Sequence, residues 1–275
     1  MQKYDVKKFA DSSRKGLKNT VLREGLTTRL AVIQVDSVFS DNRASDLYIN
    51  GIKNDCIDFG FGFELHKYEK YTDAFFKLSE LNENPEITGI LVAYPLPNKS
   101  IGYHFGRLIN RNKDLDNISG ESQYVYSCTA EGIDEFLDCN DLIENKNIVI
   151  INRSDIIGKP LANRLIEEDA NVTVLHSATS KEKIKQFLGI SDIIITATGC
   201  PGTITPDMLD VKNKEYHIID AGISFDNKGR KLGDVHPDVF SIDNIKGWCT
   251  PVTNGVGLLT RNALMQNMYI LSMKY

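Results

Sequence analysis

The chain has little cysteine, and its five cysteines (Cys56, Cys128, Cys139, Cys200 and Cys249) are scattered with no C-x-x-C spacing. An odd, scattered set excludes a disulfide framework and a zinc ribbon. The five histidines form no H-E-x-x-H pair, so no metal site is expected. Positive charge is not in excess: 32 Lys and Arg against 37 Asp and Glu leave a net charge of −5. A general nucleic-acid-binding domain is usually basic, so no nucleic-acid partner is expected. No apolar run approaches the roughly 18 residues of a membrane span. Residues 1–16 alternate charged and apolar side chains without an apolar h-region, so no signal peptide is expected and the location expected is cytoplasmic.

What is present is an ordinary globular composition, 41% hydrophobic with 20 glycines in 275 residues. That length corresponds to about two domains at roughly 150 residues each, ample for a core without a disulfide or metal. The order of elements is that of an α/β chain. Residues 30–35 (LAVIQV) read as a buried strand, 44–59 as a helix with Ser45 or Asp41 near its start, and 63–68 as a strand. A helix over 72–81 and a strand over 89–94 (GILVAY) follow. The second half repeats the pattern, with strands at 147–151, 172–175, 192–197 and 217–220 and helices at 160–168 and 181–188. Alternation of this kind implies two mostly parallel sheets flanked by helices. The expected domains are 1–120 with 256–275, and 121–255. The polar stretch 110–127 is the hinge candidate, and 256–273 reads as a helix returning to the first domain.

In the second half a strand leads into the turn 152–159 and a helix opening near Pro160, a residue suited to the first turn. Such a turn sets backbone N–H groups at a helix N-terminus, where phosphate is favoured. Only Gly158 remains of a G-x-G-x-x-G spacing, so a plain strand–helix turn is the competing reading. The next strand ends in Leu175, His176 and Ser177, without the acid that holds the ribose of NAD. Arg153 and Ser177 instead suit a 2′-phosphate, which points to NADP.

In order and spacing these stretches resemble the methylenetetrahydrofolate dehydrogenase/cyclohydrolases of one-carbon metabolism. The likeness is carried by LAVIQV, Ser45 with Tyr48, GILVAYPLP, Lys113 to Asp116, Cys128 to Gly132, and Arg153-Ser154 with Gly158 and Pro160. It continues through His176-Ser177, Ala197 to Pro201, Asp220 to Ile223, Gly233 to Val235 and Thr250 to Val252. The resemblance implies a folate domain completed by the terminal helix, a Rossmann-type NAD(P)-binding domain, a cleft between them and a homodimer. It implies an oxidoreductase that passes a hydride from methylenetetrahydrofolate to NADP, and a hydrolase step that opens methenyltetrahydrofolate. It places the tetrahydrofolate derivative against Tyr48, Ile52, Val92, Ala93, Tyr94, Asp116, Asn254 and Gly255, with Tyr48 and Asp116 as catalytic candidates. Tyr48 offers a flat face for stacking, and Asp116 a carboxylate for the pterin edge. The cofactor candidates are Asn152, Arg153, Ser154, Ser177 and Ile223.

The chain departs from the family where the hydrolase step needs proton traffic. The family's lysine, four residues after the tyrosine, is Ile52, and Lys53 points about 100° away on a helix. The glutamine of the family's V-Q-L-P strand is Ala93, in Val92-Ala93-Tyr94-Pro95. The P-G-G-V-G-P turn reads Thr253 to Leu258, the loop 36–44 is about four residues longer than usual, and the G-R-S turn begins with Asn152. The leading expectation is a dehydrogenase with weak or absent cyclohydrolase activity. The alternatives are a bifunctional enzyme despite the substitutions, an oxidoreductase of altered substrate, and a non-catalytic pterin- or nucleotide-binding paralogue.

Overall fold

The computed structural model describes residues 1–36, 42–210, 214–242 and 245–274. Most of the lengthened loop, and Asp41 as a helix cap, lie outside the described residues. The chain begins with β1 (Gln2–Lys3), α1 (Val6–Glu24), β2 (Arg29–Val35), α2 (Arg43–Phe59), β3 (Gly62–Tyr68) and α3 (Tyr71–Glu83). It continues with β4 (Gly89–Val92), α4 (Lys99–Leu108), α5 (Cys128–Asp138), β5 (Asn147–Ile151), α6 (Gly158–Glu167) and β6 (Asn171–Leu175). Then come α7 (Lys181–Ile190), β7 (Ile193–Thr196), β8 (Glu215–Asp220), β9 (Ser224–Phe225), β10 (Lys231–Leu232), β11 (Lys246–Cys249) and α8 (Val256–Ser272). Two compact units result: Met1–Asp11 with Thr129–Thr260, and Ser12–Cys128 with Arg261–Tyr275.

In the unit of Ser12–Cys128, β2 lies between β3 and β4, all parallel, with Leu30 level with Phe63 and Gly89. Alternate residues serve opposite faces, as the period of a strand requires. Leu30 and Val32 join Ile49, Ile52, Cys56 and Phe59 of α2 and Met265, Met268 and Leu271 of α8 in one apolar cluster. The terminal helix thus returns to the first sheet, as its spacing predicts. Ala31, Ile33 and Val35 face the other way, onto α3 and α4. The buried positions of α2 include Ser45, Ile49, Ile52, Cys56 and Phe59, the four-three spacing of a helix with one face in the core. Ser45 therefore lies inside the helix, which is preceded by Asn42 without a side-chain cap bond.

The polar stretch after α4 is pinned to the sheet edge. Ile90 donates its N–H to Lys113 O at 2.6 Å, and Leu115 donates to Ile90 O at 3.1 Å. Lys113 Nζ donates to Leu81 O and Asn84 O, while Asp114 accepts from the N–H groups of Ile118 and Ser119. Its polarity therefore serves turn and edge hydrogen bonds.

The other unit holds a parallel sheet in the order β1-β11-β8-β7-β5-β6 among the described residues. β5 is flanked by the next two strands of the chain, which makes it the point where strand order reverses, and ligands of such sheets bind outside the carboxyl ends there. The strands NIVII and IIIT are buried, isoleucine-rich runs typical of doubly covered sheets. The first residues of the chain group with this sheet, not with the 1–120 segment in which they were expected. Tyr4 packs on Trp248 and Phe136 at ring distances of 4.7 and 5.1 Å, and Gln2 pairs with Trp248. The grouping also assigns residues 121–128 to the first sheet and 256–260 to the second.

Candidate active site

On α2, which covers the first sheet, Tyr48 is half-buried against the apolar cluster that contains Ile52. Burial pushes its phenol well above the ordinary tyrosine range; Cys128, Asp116 and Asp55 add to this, and the Arg261 guanidinium opposes it. Ile52 is fully buried and Ala93 nearly so, both in that same cluster. Lys53 stands exposed on the helix surface. Val92 is buried in the opposite cluster, with Ile33 and Phe105, so its side chain faces away from that of Ala93. Tyr94 is half-buried at the start of the Tyr94–Pro95 cis peptide.

Asp116 follows the pinned Lys113–Leu115 segment and is half-buried. Its Oδ1 accepts the Cys128 N–H at 2.6 Å. Burial pushes its carboxyl up to about 6, with the Cys128 hydrogen bonds pulling the other way. The four residues of this motif therefore divide their work. Lys113 and Asp114 fix the backbone, Leu115 fills the core, and Asp116 retains a carboxylate that titrates near neutrality. Asn267 of α8 supports the segment: its Nδ2 reaches Leu115 O at 3.0 Å and Tyr126 O at 2.9 Å.

One buried charge escaped the sequence reading. Asp55, on the turn of α2 after Ile52, binds Arg261 Nε at 2.5 Å and Nη2 at 2.6 Å, and Arg14 Nη1 at 2.8 Å. Its only sequence signal is an acid on a buried helix face, since the partner Arg261 lies 206 residues away. In the other unit, Asn254 has φ 59°, a left-handed conformation that asparagine tolerates better than most residues. Gly255 follows because a Cβ there would lie 1.8 Å from Pro251 O.

At the reversal point of the larger sheet, Ile151 is level with Leu175 on one side and Thr196 on the other. The turns carrying Arg153 and Ser177 therefore leave neighbouring strand ends. Both side chains are exposed, and no hydrogen-bond or ion-pair partner is present for either among the described residues. Asn152 turns inward: its Nδ2 donates to Ala197 O at 2.5 Å. Its Oδ1 accepts from Ser154 N and Ser154 Oγ, both at 2.7 Å, and from Gly158 N at 3.1 Å. Gly158 is obligatory, since a Cβ would meet Asn152 O at 2.1 Å. Ile223 is 43% exposed on the loop after β8. Beneath these loops Asp220 accepts from the N–H groups of Gly222, Asp234 and Val235, and Asp234 accepts from Thr196 Oγ1 and Thr198 N. Burial pushes Asp220 up to about 6.

The expectation of free N–H donors at the start of α6 is therefore corrected. Ile157 N donates to Ser154 Oγ, Gly158 N to Asn152 Oδ1 and Lys159 N to Ser154 O, and Pro160 has no N–H. These donors are satisfied within the turn, and the exposed side chain of Arg153 remains available to an anion.

Fold and site together define an α/β protein with a doubly wound, dinucleotide-type sheet and a second, smaller parallel sheet bearing Tyr48 and Asp116. The model of the tetrahydrofolate dehydrogenase/cyclohydrolase catalytic domain matches residues 4–116, and that of the family's NAD(P)-binding domain matches residues 127–275. The bifunctional protein FolD of Staphylococcus saprophyticus is 34% identical, over 97% of this chain and 95% of that protein. The methylenetetrahydrofolate dehydrogenase-cyclohydrolase of Trypanosoma brucei, solved with NADP and an inhibitor, superposes with a TM-score of 0.84 at 26% identity, covering 99% and 97% of the two chains. A 5,10-methylenetetrahydrofolate dehydrogenase of the silkworm Bombyx mori gives 0.83 at 27% identity, covering 100% and 99%. The chain belongs to the tetrahydrofolate dehydrogenase/cyclohydrolase family. Among the described residues, no helix is long and apolar enough to cross a membrane.

Proposed function

We propose that this chain oxidises 5,10-methylenetetrahydrofolate to the methenyl form with NADP and has lost efficient cyclohydrolase activity. One observation carries the second part: Ile52, the position of the family's lysine, is fully buried with Ala93 in an apolar cluster. Proton transfer requires a titratable group within hydrogen-bond reach of the reacting atoms. Neither side chain has such a group, and the neighbouring lysine, Lys53, is exposed.

The oxidation asks less of the protein. When bound, the nicotinamide cofactor supplies the hydride acceptor, and the chain's share is to hold and orient the two ring systems. Tyr48 presents a ring face to the folate. Asp116, ionised above about pH 6, accepts N–H bonds from the aminopyrimidinone edge of the pterin. The backbone at 92–94 adds to the substrate side, and Asn254 and Gly255 are substrate candidates on the family resemblance alone. Arg153 and Ser177 fit a 2′-phosphate, because both are exposed without partners and no acid ends β6. Asn152 and Ser154 shape the turn that carries Arg153, and Ile223 offers apolar surface on the loop after β8. The homodimer rests on the family resemblance.

The test is to assay both reactions on purified protein. The reading expects reduction of NADP+ with methylenetetrahydrofolate, a much slower reaction with NAD+, and loss of methenyltetrahydrofolate at a rate near that of buffer. Absence of NADP+ reduction would favour a non-catalytic paralogue and sink the proposal.

A further inference from the structure

We infer that Asn152 fills the anion cradle at the start of α6, withholding from a dinucleotide's pyrophosphate the bonds it would make there and leaving the 2′-phosphate as the main charged contact. The inference rests on the NADP reading above. The start of a helix that follows a strand end ordinarily offers N–H groups and a positive dipole end to a pyrophosphate. Here one amide oxygen takes that place. Asn152 Oδ1 gathers Ser154 N at 2.7 Å, Ser154 Oγ at 2.7 Å and Gly158 N at 3.1 Å, a set of donors of the kind that would surround a phosphate oxygen.

The amide is also held from behind. Its Nδ2 donates to Ala197 O at 2.5 Å, so the oxygen cannot swing away without stranding that bond. Two further donors are consumed as well, Ile157 N by Ser154 Oγ and Lys159 N by Ser154 O, and Pro160 lacks an N–H. On the adjacent strand end, Thr198 N is bound by Asp234 Oδ2 at 2.6 Å. A pyrophosphate gains none of these bonds unless it displaces a neutral side chain. Outside the turn, Arg153 and Ser177 keep unspent polar groups. Binding energy is thereby withheld from the part that NAD and NADP share, and the phosphate that only NADP carries supplies a larger share of what remains.

The two contributions separate in a calorimetric titration of the apoprotein with fragments. Adenosine 2′-monophosphate carries only the 2′-phosphate, ADP carries only the 5′-diphosphate, and NADP+ and NAD+ carry the corresponding groups in full. In the wild-type chain ADP is expected to bind within about twofold of adenosine, and adenosine 2′-monophosphate at least about tenfold tighter than adenosine, as charge-assisted bonds allow. Replacement Asn152→Gly opens the cradle. ADP, NAD+ and NADP+ are each expected to tighten by about tenfold, in the range for an anion at a helix start. Adenosine 2′-monophosphate should not change, so the ratio of NADP+ to NAD+ affinity stays fixed while NAD+ becomes usable.

Replacement Asn152→Asp keeps the oxygen in the cradle and adds charge. It should weaken ADP and NAD+ further than adenosine 2′-monophosphate, and it decides the matter if the glycine variant does not fold. Wild-type binding of ADP more than about tenfold tighter than adenosine would overturn the proposal. So would a folded glycine variant with unchanged ADP and NAD+ affinity, or an aspartate variant that weakens all probes alike. Failure of NADP+ to bind the wild-type chain would instead remove the cofactor reading on which the inference rests, and the inference with it.

Discussion

The two sheets carry opposite kinds of departure from the family pattern. Beside the first sheet a polar pair has gone: Ile52 and Ala93 are apolar and share one buried cluster. At the end of β5 a polar group has been gained, and Asn152 is hydrogen-bonded on both sides of its amide. The difference teaches a common rule. A buried polar group without a partner costs about 1–3 kcal/mol, so polarity leaves in pairs and arrives with partners. It also separates the two chemistries. On the function proposed above, the loss falls on the proton-handling step and the gain on cofactor recognition.

The comparison is sharpened most by restoring the lost pair. The double replacement Ile52→Lys with Ala93→Gln is expected to raise methenyltetrahydrofolate hydrolysis by about 100-fold, the lower part of the range for a positioned acid or base. Each single replacement should do less, and Ile52→Lys alone should lower the urea midpoint because it buries an ammonium without a partner. Equal gains from the single and double variants would break the pairing argument.

The next effect belongs to the other sheet. Arg153→Ala should weaken NADP+ binding by about 30-fold while NAD+ stays within about twofold, since a hydrogen bond to a charged group is worth about 1.5–3 kcal/mol. Fluorescence titration of both dinucleotides checks this, and equal losses would remove Arg153 from the 2′-phosphate.

Stability offers a third contrast. Asp55→Ala leaves the guanidinium of Arg261, 27% exposed, without its carboxylate. The expected loss is about 2 kcal/mol in urea unfolding, below the range for fully buried pairs because both arginines touch solvent. Lys53→Ala, two residues away and exposed, should change stability by less than about 0.5 kcal/mol.

The smallest effect is in pH. Burial raises the Asp116 carboxyl to about 6. Between its ordinary value and 6 the folded chain holds a proton that the unfolded chain has released. Its contribution to stability therefore declines as pH rises through that window and is constant above it. Folate-analogue affinity should move oppositely, rising by up to about tenfold per pH unit below 6 and levelling near 7, because the carboxylate is the binding form. Asp116→Asn should flatten the profile.

The strands that form the two sheet centres were legible because each is a short buried run of isoleucine, valine or leucine. Helices α1, α4 and α5 were not expected. In α4 and α5 apolar residues do recur at helical spacing, as in Ile101 with Phe105 and Ile133 with Phe136 and Leu137, and the glycines and charges between them mask it; Val6, Phe105 and Phe136 are buried. Strand β1 has two residues and exists through pairing at the sheet edge, and β11 (KGWC), between β1 and β8, has no aliphatic run to mark it. At the site, the burial of Ile52 follows from the 45, 49, 52, 56, 59 spacing of α2. The role of Asn152 does not, because it depends on Ala197, 45 residues away. The Asp55–Arg261 pair is hidden for the same reason.

The account turns on whether the oxidation has been uncoupled from the hydrolysis. The most direct measurement follows the two activities of one purified preparation at neutral pH, reduction of NADP+ with methylenetetrahydrofolate and the decay of added methenyltetrahydrofolate. The account predicts sustained NADP+ reduction with methenyltetrahydrofolate accumulating and decaying at the rate seen in buffer. Hydrolytic turnover equal to the rate of oxidation would contradict it.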